Sequence, residues 1–259
     1  MIRLSFLVSA LVVLAISLLT NAAHAQPRRP DYCAIPGGTA SLLLIDRTSP
    51  YTTSGEDHEG ERIAAGIDTL LRSLRTADRL TVATIERHRR LSVLAFDECL
   101  PGCDPHNTSP IPLLNNCPEP TIARERNAYR RALFGAVIPL LENSTDQPNS
   151  DITGTIFQTV NQHRFAHIYI YSDMLENSQV VPWGVFSTQP AQRSFAAVQR
   201  SGFVPVLRST QIQVVGYGLS HDRNHTALTD QQDRTIREFW DLYFGAAGAT
   251  VTYRTAISP

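Results

Sequence analysis

Short unbroken apolar runs alternate along this chain with longer stretches in which apolar residues recur every three or four positions. Residues 40–45 (ASLLLI) form the first such run, which ends in Asp46. A run without polar alternation predicts a central strand buried on both faces. Residues 48–57 are polar and read as a loop. Residues 59–74 then place Ile63, Ile67, Leu70, Leu71 and Leu74 at helical spacing. Residues 79–86 and 91–96 predict a strand pair, joined by the polar turn Arg87-His88-Arg89-Arg90. Residues 118–143 predict a long helix with Ile122, Tyr129, Leu133, Phe134, Val137 and Leu141 on its apolar side. Pro139 is expected to kink it or end its regular part.

Further along, residues 151–163 predict a shorter helix, and residues 166–171 (AHIYIY) a second buried strand that leads into Ser172 and Asp173. Residues 190–202 predict a helix stopped by Gly202, residues 211–217 a strand, and residues 229–244 a helix with Thr229 as its N-cap. Residues 249–254 close as a strand. Strands alternating with helices in this way predict an α/β fold in three layers: a mostly parallel central sheet with helices on both faces.

The N-terminus modifies this picture. Met1-Ile2-Arg3 is a short basic lead, residues 4–19 are almost wholly apolar, and Ala23-His24-Ala25 has the small-x-small form of a signal-peptidase site. The expected organisation is a signal peptide over residues 1–25, a Pro/Gly-rich leader over 26–39 and one domain over 40–259, exported to the periplasm or secreted. No later segment is apolar enough over sufficient length to span a bilayer. Four cysteines, Cys33, Cys99, Cys103 and Cys117, are an even count and in an exported chain read as disulfides. Three pairings are open and the sequence does not choose among them; Cys33–Cys99 with Cys103–Cys117 is the set expected here. The net charge of −1 gives no general attraction to nucleic acid or anionic lipid. All 23 basic residues counted as Lys or Arg are arginines, which excludes chemistry that needs a primary amine, such as a Schiff base or a P-loop lysine.

In an open α/β sheet, ligands bind outside the carboxyl ends of the strands, near the point where strand order reverses. Three polar clusters fall there: Asp46-Arg47-Thr48-Ser49-Pro50-Tyr51, Ser150-Asp151-Ile152-Thr153-Gly154-Thr155, and Ser172-Asp173-Met174. The segment Leu42-Leu43-Leu44-Ile45-Asp46-Arg47-Thr48 resembles the first strand and Asp-x-Ser/Thr-x-Ser motif of von Willebrand factor A (vWA) domains. Ile168-Tyr169-Ile170-Tyr171-Ser172-Asp173 resembles their later strand ending in an aspartate, and the Ser150 cluster is similar to their hydroxyl-bearing loop and helix. The resemblance covers roughly residues 38–256 and is closest to exported bacterial members of the family.

That resemblance implies a metal-ion-dependent adhesion site holding Mg²⁺, with Asp46, Thr48, Ser150 and Asp173 as direct or water-mediated ligands and Thr153 as the substitute for Ser150. It implies a protein or peptide partner that supplies an acidic group; no nucleic acid partner is expected from the net charge, and no membrane association unless the N-terminal segment stays uncleaved. Mg²⁺ prefers octahedral oxygen ligands and retains several waters, so hydroxyls and carboxylates on separate loops suit it. Where the family motif has its last Ser, this chain has Pro50, which has no side-chain oxygen. Two other readings use the same residues: a metal-dependent hydrolase, or a structural envelope protein in which Asp46 and Asp173 only bond loop amides. Elsewhere, His221 and His225 are four apart but lie in a polar segment that reads as a solvated loop. Asp57, His58, Glu59 and Glu61 read as the charged start of a helix. The chain has no Gly-x-Gly-x-x-Gly, Gly-x-Ser-x-Gly or His-Glu-x-x-His motif.

Overall fold

The apolar run that begins at Ala40 forms strand β1 (Ala40–Asp46), in which every residue from Ser41 onward is buried. It is a middle strand of a six-stranded sheet in the computed structural model, which describes residues 31–48, 59–104, 117–218 and 228–257. The expected signal peptide lies outside the described residues. Tyr32–Pro259 is one compact unit by its internal contacts; Met1–Asp31 is a separate one, of which only Asp31 is described.

The other strands are β2 (Arg79–Ile85), β3 (Leu94–Cys99), β4 (His167–Tyr171), β5 (Gln211–Val215) and β6 (Thr250–Arg254). Their order across the sheet is β3-β2-β1-β4-β5-β6, and only the β2–β3 pairing is antiparallel. The helices are α1 (Glu59–Ser73), α2 (Glu119–Glu142), α3 (Ile152–Val160), α4 (Trp183–Phe186), α5 (Ala191–Arg200) and α6 (Asp230–Ala247). The fold is α/β with a mostly parallel sheet, as the alternation of elements predicts.

The pleat of β1 explains its unbroken apolar character. Leu43 and Ile45 pack with Ile63 and Ile67 of α1 and with Tyr129, Leu133 and Val137 of α2. Leu42 and Leu44 point the other way, into a core shared with Ile152 and Ile156 of α3, Phe186, Val198 of α5, and the Phe239–Phe244 aromatics of α6. Successive strand residues alternate sides, so a strand covered on both faces must be apolar at every position.

Two features depart from expectation, the bounds of β3 and the short helix α4. Residues 91–93 are not strand: Arg89–Leu91 make a 3-10 turn capped by His88, and β3 instead runs on through Asp97 and Glu98 to Cys99. Those polar residues belong to an edge strand, where Arg79 forms a two-pronged ion pair with Asp97 and Thr81 donates to the same carboxylate at 2.8 Å. Helix α2 matches its expected span, running from Glu119 to Glu142 with Pro139 inside it. Helix α4 is only four residues long and carries too little pattern to be read from sequence.

The cysteines pair as Cys33–Cys99 and Cys103–Cys117, with Cα separations of 5.2 and 5.6 Å. The first bridge ties a 3-10 turn at Tyr32–Ala34 to the end of β3, beside Ile122 of α2. None of the described helices is long and apolar enough to cross a membrane.

Candidate functional site

Strand order reverses at β1: the chain leaves it for β2 on one side and later enters β4 on the other. Parallel pairing in the register Ile45↔Tyr171 puts the next residues, Asp46 and Ser172, side by side at the carboxyl ends of these two strands. The Asp46 carboxylate is buried there and gathers donors from three separate segments. Oδ1 accepts from the Thr48 amide at 3.0 Å and the Thr48 hydroxyl at 2.6 Å. Oδ2 accepts from the Ser172 hydroxyl at 2.6 Å and, at 3.5 Å, from Ser150 Oγ.

Ser150 is brought to this point by a backbone bridge with Asn177: Ser150 N donates to Asn177 O at 3.1 Å and Asn177 N to Ser150 O at 2.9 Å. Asp173 follows Ser172 and is buried, its Oδ1 accepting from the Leu175 amide at 3.0 Å. Of the residues named from the sequence, Asp46, Thr48 and Ser150 therefore converge, and Asp173 is held at the end of β4. Thr153 does not take the place of Ser150, because its hydroxyl is turned to Glu176 at 3.1 Å. Ser49, Pro50 and Tyr51 lie outside the described residues, as do His221 and His225.

The loop after β4 is tightly held. Met174 has φ of 63°, a left-handed conformation that costs a non-glycine residue free energy. Two bonds fix it: its amide donates to Ser172 Oγ at 2.9 Å, and Trp240 Nε1 of α6 donates to its carbonyl at 2.8 Å. Ser172 thus bonds both Asp46 and the turn that carries Asp173. Its role rests on parallel register, which links positions 126 residues apart and has no local sequence signal.

Below this turn two acids share the first turn of α3. Asp151 is the N-cap, accepting from Gly154 N at 3.1 Å and from the Arg89 guanidinium at 3.1 Å. Glu176 is fully buried and accepts from the amides of Ile152 and Thr153, each at 3.0 Å. Burial pushes the Glu176 carboxyl up to about 8, against the downward pull of hydrogen bonds from Ser178 and Thr153. The pair braces the loops that present Ser150 and Asp173.

Beside the site is a cleft of about 400 Å³ lined by Arg87, His88, Asn149, Asn177, Ser178, Gln179 and Pro182. No family model matches the chain, and no curated protein matches it.

The donor set is compatible with a hard divalent cation. Thr48 and Ser172 each commit their one hydroxyl proton to Asp46, which leaves oxygen lone pairs for a ligand role. Among the described residues, no group of three or more His, Cys, Asp or Glu side chains could hold a metal ion. A cation here would be held by hydroxyls and by two carboxylates, Asp46 and Asp173.

Proposed function

We propose that this chain is an exported vWA-like binding module that captures an acidic group of a protein partner through a divalent cation, Mg²⁺ by its chemistry, at the carboxyl end of β1 and β4. The observation that carries the reading is the convergence of Thr48, Ser150 and Ser172 hydroxyls on buried Asp46 at the point of strand reversal. The order of strands, with one antiparallel edge at β3, is compatible with the same family. The two disulfides fit an oxidising compartment such as the periplasm.

Thr48, Ser150 and Ser172 would hold the ion through hydroxyl oxygens, with Asp46 and Asp173 supplying the negative charge. The bound ion would offer a coordination position to a carboxylate from outside. Asp46 orients the hydroxyls by accepting their protons. With donors on both of its oxygens, it is a poor nucleophile or general base, so the geometry favours binding over a hydrolase using the same carboxylates.

The test is thermal unfolding of the oxidised protein with and without millimolar Mg²⁺ or Mn²⁺, beside Asp46→Ala. A ligand at 100 times its dissociation constant adds about 2.7 kcal/mol of stability. A cation-dependent rise that disappears in Asp46→Ala is the expected result. No rise in either protein would overturn the metal reading and leave the polar cluster as a structural knot in an envelope scaffold.

A further inference from the structure

The cleft beside Ser150 adds a second recognition element to this end of the sheet. Its wall is built from the same backbone as the candidate site: Asn149 precedes Ser150, and Asn177 is bridged to Ser150 in both directions. The Asn177 side chain is engaged, donating to Pro148 O and accepting from Trp183 N at 2.8 Å, so it fixes the wall. Ser178 is likewise occupied by the amides of Val180 and Val181.

Four lining side chains are left for a ligand. Arg87 is exposed and forms no ion pair among the described residues, in contrast to Arg89, which is held by Asp151. His88 Nδ1 accepts from the Arg90 amide at 3.1 Å, which puts the ring proton of the neutral form on Nε2 as a donor. The side-chain amides of Asn149 and Gln179 have no partner among the described residues. Among the described residues, no carboxylate lines the cleft.

One turn further along the same segment, Leu91, Val93 and Leu94 are 47%, 47% and 56% exposed. The Leu91 amide donates to His88 O at 2.9 Å, so the backbone that carries these exposed apolar residues is tied to a residue that lines the cleft. Cationic and amide donors beside an apolar step suit a polypeptide that alternates acidic and apolar side chains. A small inorganic anion would leave the apolar step unused.

The geometry points to the Arg87/His88 cleft and the Leu91–Leu94 step as the binding site for an acidic, apolar-alternating segment of the partner. This rests on the reading of the Asp46 end as the binding face. A second carboxylate of the segment pairs with Arg87 and His88, its backbone meets Asn149 and Gln179, and its apolar residue covers Leu91 and Leu94.

The test is fluorescence anisotropy with a short dye-labelled peptide alternating glutamate and leucine, in Mg²⁺ and in EDTA, on the full oxidised chain. Arg87→Glu should weaken binding by a factor of about ten in both buffers, because a rim charge is reversed at an exposed position. Leu94→Asp should weaken it too, and Gln179→Arg should tighten it. Residual EDTA binding that depends on Arg87 but not on Asp46 supports the cleft even if the metal reading fails. Binding lost in Asp46→Ala but unchanged in Arg87→Glu, Leu94→Asp and Gln179→Arg overturns the cleft and leaves the metal site standing. Equal binding of a lysine and leucine peptide, or full displacement by inorganic phosphate with no effect of Leu94→Asp, also overturns it.

Discussion

Asp46 meets donors on both carboxylate oxygens, and the three residues that donate tie three separate segments together at the end of β1. Ser172→Ala removes one charge-assisted bond from a buried carboxylate and frees the Met174 amide, so it should cost ~2 kcal/mol, read as a shift in the urea midpoint. A variant as stable as the parent would show that the cluster does not brace the loop. Glu176 gives a pH-dependent prediction. Its folded value of about 8 lies above the ordinary 4.5, so the folded protein holds a proton that the unfolded chain has released between those values. Stability from this group is therefore full below about 4.5 and is lost as pH rises toward 8. Relative to Glu176→Gln, which cannot titrate, the parent should lose a few kcal/mol across that window, at about 1.4 per unit. Parallel urea midpoints for the two proteins from pH 5 to pH 8 would contradict it. The sequence marks neither residue as a ligand. Ser172 acts through strand register and Glu176 through burial, and neither is a local pattern.

Elements are legible where a pattern repeats within them. Helix α6 shows this best: Thr229 accepts from Gln232 N, and the Gln232 side chain returns to the Thr229 amide, a complete capping box. Thr229→Ala should cost about 1 kcal/mol in thermal or urea unfolding, and no loss would mean that the first turn is satisfied by other groups. Helix α1 is equally plain from its apolar spacing, but its closest contact is not. A Cβ on Gly66 would lie 2.2 Å from Tyr171 OH of β4, so the helix approaches the sheet only because that position has no side chain. Gly66→Ala gains helix propensity of roughly 1 kcal/mol yet overpacks a buried ring by about 1–3 kcal/mol, so a net loss of stability is expected. A stabilised variant would show that Tyr171 can move aside. Strand β3 departs from its expected bounds for the complementary reason. The exposed Leu91 and Val93 look like strand, while Asp97 and Glu98 look like loop, and the Arg79 pairing that makes Asp97 a strand residue comes from across the sheet.

At the scale of the molecule, the alternation of buried runs and amphipathic stretches is enough to specify a mostly parallel sheet between two helix layers, but not which end does what. The antiparallel register Arg79↔Cys99 puts both bridges near the amino ends of β1 and β2, because Cys99 faces the start of β2 and Cys103 follows four residues on. Asp46 lies at the opposite end of the same strands. The disulfide bracing and the Asp46 cluster are therefore separated by the length of the sheet, and the two should be separable by mutation. The sequence separation is 66 for Cys33–Cys99 and 14 for Cys103–Cys117. Loop-closure entropy then gives ~4 kcal/mol for the first and ~3 kcal/mol for the second. Replacing Cys33 and Cys99 by Ser should cost more than replacing Cys103 and Cys117, the more so because the first bridge also secures Tyr32 against Ile122. Urea unfolding of the two double variants measures the difference. If the domain binds a divalent cation at Asp46, the stability gained from it should be the same in both variants as in the parent, because neither bridge touches the loops that hold Thr48, Ser150 and Ser172. A cation response that collapses with the Cys33–Cys99 bridge would show that the two ends are coupled through β1 and β2.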